Sequence, residues 1–173
     1  GSEMCIRDSF YLTTLSHPLL DKLGPEPLSD EFSVDYLMAR AANVKRNIKT
    51  FLMDAEVVVG VGNIYANEAL YYSGIRPLAE AGKVSRRRMG RLVPAVKMVL
   101  EKAIQAGGTS LRDFLHEDGK PGYFRHELQV YGREGEACYQ CGGVLTSLRI
   151  SSRATVFCKP VSYTHLTLPT RAQ

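Results

Sequence analysis

The chain has 173 residues, of which 45% are hydrophobic, and it carries a formal net charge of +4 with a pI near 8.9. This length suits one ordinary domain or two small ones. The longest apolar run, at residues 57–61, is interrupted by glycine and falls short of the roughly 18 residues of a membrane-spanning helix. The mild basic excess favours an acidic partner without by itself identifying a nucleic acid.

The two ends of the chain differ from the part between them. Residues 1–9 and 161–173 show no periodicity and lead into no recognisable element, so we interpret both as non-native tails. Residues 10–28 include three prolines and one glycine from position 17 onward, which predicts an extended linker. A linker so close to the start suggests that a preceding domain is missing.

A helical pattern begins at Ser29, which we expect to cap a first helix that extends to about Ala41. A second helix is predicted over residues 44–53. Its apolar side chains should face the core, and its basic side chains, Lys45, Arg46 and Lys49, should face solvent.

A glycine-containing turn follows. The apolar run passes through Gly60 and Gly62 into Asn63 and a predicted third helix over 63–73, which Gly74 should terminate. Glycines allow another molecule to approach the backbone closely, and the start of a helix presents free N–H groups and the positive end of its dipole. Such a turn suits a phosphate backbone. The same pattern also fits a buried strand that enters a helix through a tight turn.

The clearest periodicity predicts a fourth helix over residues 85–106. Pro94 should either kink this helix or mark its true start. Basic side chains crowd its first turns, where they oppose the helix dipole: Lys83, Arg86, Arg87, Arg88 and Arg91. They fit either a phosphate partner or, more simply, a solvated charged face.

Beyond this helix the pattern changes. Residues 116–125 are rich in turn-forming residues and fit either a mobile cover over a ligand or an ordinary surface connection. Alternating patterns at 128–132, 145–150 and 154–158 then predict strands. The predicted fold class is therefore mainly α with a small β-hairpin.

Three cysteines have the spacing of a metal site. Cys138 and Cys141 form C-x-x-C, and Cys158 follows at the distance expected for the second pair of a four-thiolate zinc ribbon. The fourth ligand would fall at position 161, which is Val161. Reduced structural cysteines are the alternative, and a redox C-x-x-C is less well supported because no βαβ pattern surrounds it.

Seven segments in order share their sequence with one family: LGPEPLSDEF, IKTFLMD, VVGVGNIYANEAL, GGTSLRDF, DGKPGYF, ELQVYGR and RATVFC. Over residues 17–158 the chain resembles formamidopyrimidine-DNA glycosylase. The resemblance implies a helix-two-turn-helix DNA-binding domain over residues 29–126 and a zinc-ribbon-like hairpin over residues 127–160.

The resemblance also implies an activity. The family removes oxidised purines (8-oxoguanine and formamidopyrimidine) from double-stranded DNA and cleaves the abasic strand by β,δ-elimination. Its N-terminal proline amine forms a Schiff base, assisted by a glutamate and a lysine of the N-terminal domain. None of these can be matched to this chain, so we expect the fragment to be inactive alone. We also expect a monomer of the bacterial cytoplasm that binds damaged or abasic duplex DNA and no membrane.

Residue by residue, the resemblance assigns DNA contacts to Lys49, Gly60, Gly62, Asn63 and Arg153, and a proton-donor role in δ-elimination to Arg153. It assigns a cover over the flipped base to Asp118, Gly119, Lys120, Pro121, Gly122 and Tyr123. It implies structural zinc on the three cysteines, and with Val161 in the fourth position we expect zinc binding to be weak and the hairpin to be poorly held. Simpler roles are a helix cap for Asn63 and surface charges for Lys49 and Arg153.

Two rival functions fit the same sequence. One is an endonuclease VIII-type glycosylase, which shares the architecture and acts on oxidised pyrimidines. The other is a non-catalytic zinc-ribbon module that binds nucleic acid.

Overall fold

The computed structural model describes residues 21–107 and 127–163. In chain order these form α1 (Val34–Ala41), α2 (Ile48–Leu52), α3 (Asn63–Ser73), a 3₁₀ turn (Ala81–Lys83), α4 (Arg86–Gln105), β1 (Leu145–Ile150), β2 (Arg153–Cys158) and α5 (Lys159–Tyr163). The two strands pair antiparallel, with Leu145 opposite Cys158 and Ile150 opposite Arg153. The predicted class, mainly α with a small β-hairpin, is confirmed.

The main core lies among the four helices. Helices α3 and α4 pack against each other, and α1 and α2 close the other sides. The predicted periodicity of α4 is confirmed, because its buried positions include Met89, Leu92, Val96 and Leu100. Pro94 lies inside α4 rather than at its start. Gly74, with φ 66°, ends α3 as predicted.

The first two helices begin later than the sequence predicts. Ser33, not Ser29, caps α1: its hydroxyl accepts from the Tyr36 N–H at 3.2 Å, whereas the Ser29 hydroxyl donates to the Glu26 carbonyl. Asn47 caps α2 in the same way. Residues 44–47 are not helical because the carbonyls of positions 44 and 46 accept N–H groups from positions 82 and 81.

The hairpin has a small core of its own. Val130, Cys138, Leu145, Val156 and Cys158 pack together with Tyr71 of α3. The strand predicted at residues 128–132 is wrong: these residues lie outside both described strands, because the N–H groups of positions 129–131 donate to a side chain of α3.

Helix α5 includes residues 161–163, which the sequence analysis assigned to a non-native tail. Within residues 21–107 and 127–163, no helix is both long and apolar enough to cross a membrane.

Candidate nucleic-acid interface and thiol cluster

The turn before α3 has an open backbone. Gly60 has φ 76°, a left-handed conformation that favours glycine, and Gly62 is extended. A Cβ atom at either position would meet no described atom within 4 Å, and no described side chain caps α3. The free N–H groups at the start of α3 can therefore be approached closely by an anion.

Asn63 is the first residue of α3 rather than its cap. Its Nδ2 lies 3.5 Å from the Tyr131 hydroxyl, and its Oδ1 is buried without a hydrogen-bond partner among the described residues. The amide carries two hydrogens, and this long contact uses at most one of them. Asn63 thus has unused hydrogen-bonding capacity beside the open turn.

Lys49 does not face solvent, so that prediction is wrong. Its side chain is only 1% exposed, and its ammonium donates to the Thr155 hydroxyl at 2.6 Å and to the Ala154 carbonyl at 2.9 Å. Burial, with the neighbouring charge of Arg153, lowers the pKa of Lys49 to about 8. The lysine therefore joins α2 to the hairpin and lies below the surface.

Asn67 of α3 provides a second link to the hairpin. Its Oδ1 accepts the Val156 N–H at 2.9 Å, and its Nδ2 donates to the Asn63 carbonyl at 2.7 Å and lies 3.5 Å from the Ala154 carbonyl. The Ala154 carbonyl thus receives Lys49 of α2 and Asn67 of α3 together. Because Ala154 follows Arg153, these bonds fix the base of the exposed arginine.

Arg153 and Lys49 border one open cavity of about 260 Å³ at the turn between the strands. Its other lining residues are Thr50, Met53, Ile150 and Ser151. Two basic side chains beside a half-open cavity make a region of positive potential, which suits an anionic group such as a phosphate.

Glu68 of α3 holds the segment that precedes the hairpin. Its side chain is 1% exposed and accepts the backbone N–H groups of Gln129, Val130 and Tyr131 at 2.9, 3.0 and 2.9 Å. Burial raises the pKa of Glu68, and the three N–H groups oppose that shift. The carboxylate takes the place of a partner strand for residues 129–131, which pair with no strand in the part of the chain that the structure describes.

The three cysteine sulfurs form a cluster within 4.8 Å of one another, and Cys141 Sγ lies 3.3 Å from Cys158 Sγ. Cys138 and Cys158 are buried, whereas Cys141 is exposed. The Tyr71 hydroxyl of α3 lies 3.3 Å from Cys138 Sγ. Burial raises the pKa of Cys138, but hydrogen bonds led by that of Tyr71 outweigh it and bring the pKa to about 7.

The donor set of this cluster is incomplete for structural zinc. Such sites are almost always closed by four ligands, and Val161, which stands where the spacing predicts the fourth, is apolar and packs against the hairpin core that contains Cys138 and Cys158. The three thiols can hold a metal ion, but they supply one donor fewer than a four-thiolate ribbon.

Other predicted features lie elsewhere. The predicted covering residues 118–123 fall outside the described parts of the chain. Of the basic residues at the start of α4, Arg86 pairs with Asp35, and Lys83 pairs with Glu80 at 2.9 Å.

The sequence analysis missed the hydrogen-bonding roles of Asn67, Glu68 and Thr155; it predicted that Tyr71 is buried but missed its contact with Cys138. The available signal was two polar residues, at 67 and 68, inside an otherwise apolar helix.

Comparison with known proteins places this geometry in a family. The model of the formamidopyrimidine-DNA glycosylase H2TH domain matches residues 23–115. The chain is 59% identical over 143 residues to formamidopyrimidine-DNA glycosylase of Shewanella halifaxensis, covering 83% of this chain and 53% of that protein. It is 63% identical over 145 residues to the protein of the same name from Xanthomonas euvesicatoria, covering 84% and 54%. The chain thus spans about half the length of the curated relatives it matches.

Solved structures agree. The MutM (Fpg) protein of Thermus thermophilus matches with a TM-score of 0.78 and 38% identity, over 83% of this chain and 55% of that one. Lactococcus lactis Fpg in complex with abasic-site DNA matches with a TM-score of 0.77 and 32% identity, over 84% and 53%. The chain belongs to the formamidopyrimidine-DNA glycosylase family.

Proposed function

We propose that this chain binds damaged double-stranded DNA as the C-terminal part of a glycosylase that removes oxidised purines and cleaves the abasic strand by β,δ-elimination. One observation supports this most directly: Lys49, Asn63 and Arg153, far apart in sequence, are joined through the Ala154 carbonyl and Asn67. The Lactococcus lactis relative is bound to abasic-site DNA in its solved structure, which supports the same partner.

In this proposal each group has a different part in binding the duplex. The glycine turn and Asn63 donate hydrogen bonds to one phosphate, and the Arg153 guanidinium binds another with its planar fork of donors. Lys49 adds positive charge beneath the surface near Arg153, and its bonds to Ala154 and Thr155 hold the hairpin in place. We also propose the δ-elimination proton-donor role for Arg153, since its side chain is exposed and the backbone beside it is held by the bond from Lys49 to the Ala154 carbonyl.

We propose that the chain binds but does not turn over alone, as a monomer acting on DNA in the bacterial cytoplasm. The family's amine nucleophile and its assisting residues have no counterpart that we can match in this sequence. Borohydride trapping on duplexes containing 8-oxoguanine or an abasic site should therefore give no cross-link. Efficient trapping with strand cleavage would contradict this part of the proposal.

Fluorescence anisotropy tests the binding directly, with three duplexes (8-oxoguanine, abasic and undamaged) at several salt concentrations. We expect tighter binding to the two damaged duplexes. Log affinity falls as log salt rises, and Arg153→Ala should make this negative slope shallower by about one, because one phosphate contact is lost. Asn63→Ala should weaken binding with a smaller change in slope, because its amide is uncharged.

Arg87→Ala is the matched control, since Arg87 is an exposed arginine at the start of α4. If Arg87→Ala reduced affinity and Arg153→Ala did not, the binding surface would be the basic start of α4 and the proposal would fail. Equal affinity for all three duplexes would instead favour a non-catalytic DNA-binding module.

Oxidised pyrimidines are the second candidate substrate. Lactococcus lactis Fpg, similar to this chain with a TM-score of 0.75, has been solved with DNA containing an oxidised pyrimidine. A fourth duplex with such a lesion separates the two specificities, and tighter binding to it than to 8-oxoguanine would favour the endonuclease VIII-type specificity.

We propose that zinc, the structural ion expected in the family, binds this chain weakly, because no residue in the described ranges joins the three cysteines as a fourth donor. Elemental analysis after dialysis should find much less zinc than in a Val161→Cys variant. Stoichiometric zinc in the unchanged chain would refute this.

A further inference from the structure

We propose that the three-thiol cluster is a site for a pyramidal, thiophilic ion that carries a lone pair, of which trivalent arsenic is the example. The proposal concerns only Cys138, Cys141, Cys158 and Val161, and it does not rest on the DNA-binding function.

The geometry of the cluster suits three bonds. All three sulfurs lie within 4.8 Å of one another, with the closest pair at 3.3 Å. Sulfurs that share one ion through bonds of about 2.3 Å are separated by about 3.4 Å at the angles of about 95° of a pyramidal ion, and by about 3.8 Å at tetrahedral angles. Small side-chain movements therefore bring the three sulfurs onto a common ion.

The residue at the fourth ligand position determines which ions the three thiols can bind. Structural zinc requires a fourth donor, and Val161, which stands where the spacing predicts that donor, is apolar and packs against the hairpin core that contains Cys138 and Cys158. A trivalent arsenic atom bonded to three sulfurs completes its octet with a lone pair, which needs no donor and tolerates an apolar neighbour. The lack of a fourth ligand among the described residues thus disfavours zinc and does not disfavour trivalent arsenic.

The cluster is also accessible and chemically soft. Cys141 is exposed, whereas Cys138 and Cys158 are buried behind it, so an ion can bind Cys141 first and then the other two thiols. Thiolate sulfur favours soft ions over hard ones. The Tyr71 hydroxyl at 3.3 Å helps to fix the Cys138 sulfur.

The binding reaction balances without an oxidant or reductant. Arsenite enters as As(OH)₃; three As–S bonds form and three As–O bonds break. The three hydroxyl groups leave with the three thiol protons as three waters. Arsenic stays trivalent and sulfur stays reduced.

The experiment is native mass spectrometry of the full chain, freshly reduced with a phosphine and then titrated with arsenite. We expect one arsenic per chain, bound with loss of all three hydroxyls, together with the ultraviolet absorption of As–S bonds. Absence of arsenic, or an adduct that retains a hydroxyl and so uses two thiols, would overturn the proposal.

Two variants control for the ligands. Cys141→Ser should leave a two-thiol adduct that retains one hydroxyl and binds arsenite at least about tenfold more weakly. Cys5→Ser, which removes the fourth cysteine of the chain, should change neither adduct nor affinity. Circular dichroism of each variant checks that the helices remain folded.

Val161→Cys tests the reason for the preference. It should raise zinc affinity by about tenfold or more and allow zinc to compete with arsenite. If the unchanged chain binds zinc as tightly as Val161→Cys, the fourth position does not decide the preference and the proposal is wrong.

Discussion

Replacing Glu68 with alanine should loosen the segment that leads into the hairpin and destabilise the protein. The carboxylate accepts three backbone N–H groups, one buried at Val130 and two partly buried at Gln129 and Tyr131. A buried N–H without a partner costs about 1–3 kcal/mol. The two partly buried groups can reach water, so we expect the free energy of unfolding to fall by about 3–4 kcal/mol, out of a typical total of about 5–15 kcal/mol.

Glu68→Gln gives a graded result. One amide oxygen can keep the bonds to Val130 and Tyr131, but the amide NH₂ then faces the Gln129 N–H, donor against donor. We expect a loss of about 2 kcal/mol from one missing charged hydrogen bond and two weakened ones.

Urea unfolding measures both losses, and hydrogen exchange should show faster exchange at the amides of residues 129–131. Glu101→Gln, at an exposed position of α4, is the matched control and should change neither quantity. If Glu68→Ala lowered the free energy of unfolding by less than about 1 kcal/mol and left these amides protected, the anchoring role of Glu68 would be refuted.

Gly60→Ala should destabilise the fold by about 1–2 kcal/mol because of the left-handed φ of 76°. Gly62→Ala, at the extended N-cap of α3, should destabilise it less, by about 0.5 kcal/mol; equal effects would contradict this. The pKa of Lys49 is lowered from 10.5 to about 8, so the unfolded state binds the proton more tightly. Stability relative to Lys49→Met should therefore be greatest above pH 10.5 and decline as the pH falls through 8; a constant difference between the two unfolding curves would show the amine to be unperturbed. Tyr71→Phe should weaken arsenite or zinc binding by about tenfold, through loss of the hydrogen bond to Cys138 Sγ; isothermal titration showing equal affinities would rule out that role.

Local patterns predicted the long helices. Helix α4 follows an apolar repeat with a serine before it, and α3 lies between a glycine turn and a left-handed glycine, so local sequence was enough to predict both helices. Local sequence was not enough to predict where α1 starts. Ser29 and Ser33 both precede acidic residues, and only the structure shows which hydroxyl accepts an N–H group.

The environment of Lys49 could not be predicted from its neighbours in sequence. Its acceptors, Ala154 and Thr155, lie 105 and 106 residues further along the chain. A lysine in a five-residue helix is expected to be exposed, and here it is buried because the hairpin covers that face of the helix.

The role of the candidate interface in DNA binding stays a prediction. Gly60, Gly62 and Arg153 are exposed, and Asn63 is partly buried. Asn67 and Glu68, which hold the neighbouring segments in place, accept backbone N–H groups of Val156 and Gln129, far along the chain. A pattern of hydrophobicity carries no information about such hydrogen bonds.

The shared acceptor at Ala154 has a mechanical consequence. Arg153 and Cys158 mark opposite ends of β2, about 17 Å apart at the usual rise per residue of a strand. A force applied at Arg153, such as that of a duplex bound as proposed, would therefore be carried first by the bonds from Lys49 of α2 and Asn67 of α3 to the Ala154 carbonyl. The thiols lie at the far end of the strand, so an ion gained or lost there would alter the base of the hairpin and leave the bonds at Ala154 in place.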